Sequence, residues 1–229
     1  MKIINPSFEI RTPWGLLTEE RGIDLLRWIE TNARISHRSE DMQTPTSWKR
    51  FLQAVVVQRG DWSVAEHATV TVIFRVDRGV THELVRHRHF SFTQESTRFV
   101  NYNKKDKDGN VVHPIEFIRP DTKPLDFGTD GWHDCIAKAE FTYRHMINQG
   151  WSPQEARSVL PNALASTISV TGNLRMWRWF FLARTTSETH PDFKRVTIPL
   201  LAEFKRLIPI LYDDVEPNIK QSISMGKVH

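Results

Sequence analysis

A single cysteine, Cys135, among 229 residues means that no disulfide can form within the chain, and a reducing compartment, the cytoplasm, is the expected location. Long apolar runs are missing as well. Nowhere does a stretch of about 18 apolar residues occur, the length a membrane-spanning helix needs, and the opening MKIINPSFEIRTP has no apolar core of signal-peptide length. Neither G-x-G-x-x-G nor a Walker A sequence is present, so a glycine-rich phosphate cradle is excluded. Charge of one sign does not dominate either. Lys plus Arg number 31 against 27 Asp plus Glu, a net charge of +4, which favours anions mildly and does not by itself imply DNA or RNA binding. The expectation is a soluble cytoplasmic protein with no membrane partner.

What is present is enough apolar material, 39% of residues, to bury one sizeable core, and a single domain over residues 1–229 is expected. Eight Trp and thirteen Phe supply large flat surfaces for a core, a subunit interface or a planar ligand. Helical spacing of Ile23, Leu26 and Ile29 predicts a helix from about Glu19 to Ala33, and a second runs from Trp48 to Gln58, stopping at Gly60. TVTVIFRV, from Thr69 to Val76, is β-branched and nearly alternating, as a strand requires. Val80 to Arg88 reads as a helix. The polar stretch from Lys104 to Asn110 reads as an exposed loop. Trp132, Cys135, Ile136, Ala139, Tyr143, Met146 and Ile147 form one apolar helical stripe, on which Cys135 is expected to be a buried structural thiol. Ser152-Pro153-Gln154-Glu155 has the form of a helix start, with Ser as N-cap, Pro at the first helical position and Glu closing a capping box. Leu174 to Ala183 is apolar almost all round and is expected in the middle of the molecule or of an oligomer. Ile198 to Leu211 is helical, with Pro209 ending or kinking it. Strands and helices do not alternate regularly, so the expected class is α+β, a mixed or antiparallel sheet with surrounding helices. Residues 1–59 and the C-terminal tail carry no signal beyond scaffold.

Chemistry concentrates in residues 86–98, RHRHFSFTQESTR. Arginine forks bind phosphate bidentately and hydroxyls bond the same oxygens, so the stretch suits a nucleotide; a solvated basic face is the alternative. His87 and His89 are two apart, do not share a helix face, and have no Cys or carboxylate cluster spaced to complete a metal site, so no metal is expected. Neither Ser91 nor Ser96 stands in a G-x-S-x-G setting, which argues against a serine hydrolase.

Arg86-His87-Arg88, Ser91, Ser96 and Arg98 together spell RHR-x2-S-x4-S-x-R, and this pattern resembles the signature of the flavin-dependent thymidylate synthases. Ser63 and the pair Glu66-His67 upstream, then Arg157-x-x-Leu160-Pro161, Asn173-Leu174-Arg175 and Arg184 downstream, follow in that family's order. The resemblance implies a homotetramer with active sites between subunits. FAD would be contacted by Ser63, Arg86, His87, Arg88, Gln94, Asn173 and Arg175. Substrate dUMP would be held by Glu83, Arg86, Gln94, Glu95, Ser96, Thr97, Arg98, Arg157 and Arg184. NADPH would reduce the flavin and 5,10-methylenetetrahydrofolate would donate the carbon. Arg184 would be catalytic, its cation stabilising negative charge that develops on the uracil, while the cofactor carries the hydride chemistry.

Five positions depart from the family's commonest pattern: Thr93-Gln94 for Asn-Glu, Phe99 for Tyr, Glu83 for Gln and Trp179 for an Asn that contacts flavin. Glu83 near an anion calls for a compensating cation, and Arg86 one helical turn on is the expected partner. Trp179 can stack but cannot reproduce an amide hydrogen bond. Two alternatives remain open at this point: an FAD and folate enzyme acting on another pyrimidine nucleotide, and a single-stranded nucleic-acid binder using the basic stretch with Phe90 and Phe92 as stacking platforms.

Overall fold

The computed structural model describes residues 2–120 and 129–218; the C-terminal tail beyond 218 lies outside them. The chain opens with three short strands, β1 (Lys2–Ile4), β2 (Ser7–Thr12) and β3 (Gly15–Leu16), followed by α1 (Glu19–Ile35) and α2 (Trp48–Leu52). The last of these widens into a π-turn over Gln53–Gln58, and a 3-10 segment, Trp62–His67, leads into β4 (Thr69–Asp77). Then come α3 (Arg78–Leu84), β5 (Ser91–Gln94), β6 (Glu116–Ile118), α4 (Thr129–Asn148), α5 (Pro153–Ala156), β7 (Ala165–Asn173), α6 (Leu174–Arg184) and α7 (Pro191–Leu207).

Five strands form a sheet in the order β3-β2-β4-β7-β5, and β1 pairs with β6 in parallel. β2 and β3 are antiparallel. So are β4 and β7: Leu174 N bonds Ala68 O, Thr71 meets Thr171, Arg75 meets Thr167 and Arg78 N bonds Leu164 O, so one strand's numbering rises as the other's falls. Burial alternates along β4 and along most of β7, as a pleated strand demands. The fold is α+β, as the irregular order of elements implies.

By their contacts the described residues fall into two compact units, one from 2–7, 74–86 and 92–169, the other from 8–73, 87–91 and 170–218. In the first, Tyr102, Ile115, Phe117, Ile136, Tyr143, Ala156 and Leu164 form a buried cluster, to which α4 contributes Ile136 and Tyr143. Cys135 is exposed, which corrects the expectation of a buried thiol. The stripe of α4 is narrower than its apolar count suggested, and the residue before Ile136 turns to solvent. α5 has the expected start: Glu155 Oε2 accepts from the Ser152 backbone N–H at 2.9 Å, and the helix passes at Arg157 into a 3-10 turn.

In the second unit, α1 is capped by Thr18, whose hydroxyl accepts from Arg21 N, and it buries Leu25, Leu26, Ile29 and Ala33. A Cβ on Gly22 would meet Leu207 O at 1.8 Å, so only glycine permits this approach to α7. Trp177, Phe180, Phe181, Phe193, Phe204 and Tyr212 are fully buried and meet largely edge to face, the geometry that ring quadrupoles favour. Trp177 Nε1 satisfies its donor on Val70 O at 3.0 Å. Within one chain α6 is not buried all round: Trp179 is 63% and Leu182 47% exposed. One expectation is corrected here. α7 begins at Pro191, well before Ile198, with Pro191 in the first turn and His190 as N-cap. Pro199 inside it removes one backbone donor, yet the buried stripe Phe193, Val196, Leu200, Leu201, Phe204 and Leu207 carries the helix through.

Candidate functional site

α6 starts where β7 ends because Asn173 caps it: Asn173 Oδ1 accepts from Met176 N at 2.8 Å. That bond occupies the amide oxygen and leaves the amide nitrogen for other partners. At this end of α6 lies a cleft of about 620 Å³ lined by Glu66, His89, Asn173, Arg175, Met176 and Trp179, a size typical of small-molecule and cofactor sites. Arg175 Nη1 donates to Glu66 Oε1 at 2.5 Å across its wall. Trp179 presents a largely exposed ring face. Ser63 lines a separate cleft of about 330 Å³ with Arg34, His37 and Arg59. Arg88 is exposed in the same unit.

His87, expected as a cofactor contact, is held within its own unit. It is 9% exposed, packed edge-on to Phe180 at 5.1 Å and Phe90 at 6.2 Å, and its Nε2 receives Arg184 Nε at 2.8 Å. Burial, reinforced by the Arg184 charge, pushes its pKa from 6.5 down to about 4, so the ring is neutral near pH 7. Arg184, at the C-terminal end of α6, also lies over the Phe193 ring at 5.3 Å, and its carbonyl accepts from the Thr197 hydroxyl at 2.7 Å.

The other unit holds the remaining motif residues. Gln94 Nε2 donates to Thr81 Oγ1 and to Ser166 Oγ, both at 3.0 Å. Thr81 spends its own proton on Arg78 O, so its oxygen can only accept and the amide nitrogen must face it. Glu95 is consumed internally. Its Oε1 accepts from Tyr102 at 2.7 Å, and its Oε2 from Arg75 at 2.7 Å and Thr167 N at 3.2 Å. Arg75 also donates to Glu116 at 2.8 Å, and Glu116 takes Lys2. The Glu95 carboxylate therefore organises the wall of the residues around it. The network holds the Glu116 carboxyl below the usual carboxylate range and, with burial, raises the Tyr102 hydroxyl.

Arg157 Nη1 reaches Thr97 Oγ1 at 3.1 Å, tying two expected substrate residues together. Ser96 Oγ accepts from Arg98 N at 3.3 Å, and no imidazole or carboxylate bonds it among the described residues. Arg86, Arg98 and Arg157 are exposed. Arg86 N donates to Glu83 O at 3.2 Å. α3 ends at Leu84, so helical spacing no longer governs position 86. Among the described residues, no group of three or more His, Cys, Asp or Glu could hold a metal, and no helix is long and apolar enough to cross a membrane. Arg75, Thr81 and Ser166 support the motif residues without having been singled out for it. The arginine in the otherwise alternating TVTVIFRV is the one signal that could have found Arg75, because a cation in a half-buried strand needs a partner.

The UMP/dUMP methylase PolB from Streptomyces cacaoi bound with 5-Br UMP has a similar structure, with a TM-score of 0.66 at 20% identity over 93% of this chain and 94% of that one; bound with 5-Br dUMP it gives 0.68 at 19% identity over 93% and 95%. Residues 24–210 match the family described as thymidylate synthase complementing protein. Flavin-dependent thymidylate synthases from Mycobacteroides abscessus and Corynebacterium aurimucosum are 36% and 33% identical to this chain. These matches cover 82% and 81% of it, and 78% of each relative. The chain belongs to the flavin-dependent thymidylate synthase family of methyltransferases.

Proposed function

We propose that the chain, acting as one catalytic domain over residues 1–229, methylates dUMP to dTMP with 5,10-methylenetetrahydrofolate as carbon donor and FAD reduced by NADPH as hydride source. The observation that carries this reading is the contrast among its arginines. Those at the family's motif positions, Arg86, Arg88, Arg98 and Arg157, face solvent, whereas the buried Arg34 is committed to Glu30 at 2.7 Å. Exposed guanidinium forks suit a nucleotide phosphate, and that of Arg157 reaches the Thr97 hydroxyl at 3.1 Å.

The 620 Å³ cleft fits a flavin dinucleotide by its donor set: a cation in Arg175, an amide nitrogen in Asn173 and a planar face in Trp179. Ser63, Arg86, His87, Arg88 and Gln94, partly from other subunits of the tetramer, are the further cofactor contacts of this reading. Bound FAD would supply the hydride and the folate the one-carbon unit. The residues' own work is to bind and orient. Glu83, Arg86, Gln94, Ser96, Thr97, Arg98 and Arg157 hold the nucleotide, with Glu95 bracing the wall behind them. Arg184 sets a fixed positive charge where the uracil becomes electron-rich. Assembly as a homotetramer and a cytoplasmic location complete the reading.

A second reading keeps this chemistry on another pyrimidine nucleotide. It is favoured by Gln94, whose nitrogen is tied to Thr81 and Ser166 and which therefore offers an acceptor oxygen rather than a charge. Turnover of dUMP, UMP and dCMP by the purified protein separates the two, with dUMP preferred on the first reading. Arg184→Ala is expected to lower dTMP formation by about a hundredfold to a thousandfold, as loss of an electrostatic stabiliser does; undiminished turnover would remove Arg184 from the mechanism.

A further inference from the structure

We propose that His87 is a positioning residue for Arg184: its imidazole, held as the Nδ1–H tautomer, accepts the Nε–H of Arg184 and fixes the plane in which the guanidinium meets the substrate. The inference rests on the catalytic reading of Arg184 and gives His87 a part beside contact with the cofactor.

Arginine nitrogens can only donate. A 2.8 Å contact from Arg184 Nε to His87 Nε2 therefore requires an unprotonated Nε2, and the ring proton of the neutral form must sit on Nδ1. The imidazole is itself held. Phe180 and Phe90 meet it edge-on at 5.1 and 6.2 Å, and Phe90 in turn packs on Trp177 at 4.6 Å. Arg184 is fixed from two further sides, by the Phe193 ring under its guanidinium and by Thr197 on its carbonyl. An arginine side chain is long and loses much rotamer freedom when ordered. A bond to Nε stops rotation about the last soft torsion before the charged fork. The motif histidine thus has a reason to be a histidine: a flat acceptor at the right reach that also tolerates an apolar cage and carries no charge against the arginine at working pH.

Three substitutions separate this from simple packing. His87→Gln puts an amide oxygen near the place of Nε2, His87→Asn puts one near Nδ1, too short to reach Arg184, and His87→Leu keeps bulk without an acceptor. With dUMP as substrate, Asn and Leu are expected to lower kcat about tenfold to a hundredfold, the scale of a catalytic group displaced by about 1 Å, with a smaller change in KM, while Gln recovers most of the loss. In an Arg184→Ala background the His87 substitutions are expected to add little, because groups acting as one unit are not additive. Equal losses for Gln and Leu, or full additivity with Arg184→Ala, would overturn the proposal.

Thermal melts check that the variants fold. Independently of any activity, 15N chemical shifts of the wild-type His87 ring are expected to report Nδ1–H and a bare Nε2; the opposite tautomer overturns the proposal even if no variant folds. If the wild type makes no dTMP, the functional reading fails on its own, and the tautomer still decides the His87–Arg184 pairing.

Discussion

A Cβ on Gly172 would stand 2.1 Å from Phe90 Cε1. Glycine in β7 is thus what lets the Phe90 ring lie against the strand and reach both Trp177 and His87. The ring cannot move away cheaply, because its other neighbours are packed aromatic side chains. Gly172→Ala is expected to destabilise the protein by about 1–3 kcal/mol, the usual range for overpacking, read as a lower urea midpoint. Phe90→Leu in the same chain should recover part of the loss; an unchanged midpoint for Gly172→Ala would contradict this packing.

Arg75 is the keystone of the Lys2, Glu116, Glu95 and Tyr102 network. Arg75→Met keeps the stem but leaves Glu95 and Glu116, both mostly buried, without their shared cation. A loss of about 2–3 kcal/mol is expected, as for charged hydrogen bonds broken in a partly buried setting, together with weaker nucleotide binding because Glu95, just past the end of β5, leads into Ser96 and Thr97. Urea unfolding and dUMP titration measure the two effects.

Asn173 has two separable parts. Asn173→Ala removes the cap of α6 and should cost about 1 kcal/mol as well as FAD affinity. Asn173→Asp keeps an accepting oxygen, gains from the helix dipole and should retain stability while still weakening FAD, since it lacks the amide donor. Equal stability losses for both variants would show that capping is not what Asn173 contributes.

Acid should destabilise the fold in two resolvable stages. His87 has a folded pKa of about 4 against 6.5 unfolded; between those values the unfolded chain binds a proton the native one refuses, so stability falls as pH drops from about 6.5 towards 4. Glu116 and Asp214 are held below their ordinary values of 4.5 and 3.8 by Lys2, Arg75 and Arg178, and their contribution is lost lower, as pH falls through their depressed folded pKa values. Melting temperatures between pH 7 and 5 isolate the first stage. His87→Gln should flatten that slope and leave the lower stage intact.

α1, β4, α4 and α6 were legible because each carries its own period or cap: Ile23, Leu26 and Ile29 in α1, β-branched alternation in β4, and the apolar runs of α4 and α6. β7 was not read, because ASTISVTGN is rich in small polar residues that resemble a loop; neighbouring strands, not propensity, make it a strand. The start of α7 was missed although Pro191 at its first turn is a start signal, since the apolar stripe becomes dense only from Ile198. The motif was legible as residues but not as geometry. Nothing in RHRHFSFTQESTR distinguishes the buried His87 from the exposed His89, or the committed Glu95 from a free carboxylate, because their partners Arg184, Arg75 and Thr167 are supplied by distant segments.

Flavin-dependent methylation of dUMP is measured by following a labelled methylene carbon from 5,10-methylenetetrahydrofolate in the presence of NADPH, with and without FAD. Labelled dTMP is expected only when FAD is bound to the protein; dUMP left unchanged by a chain shown to carry FAD in near one-to-one ratio would rule this chemistry out.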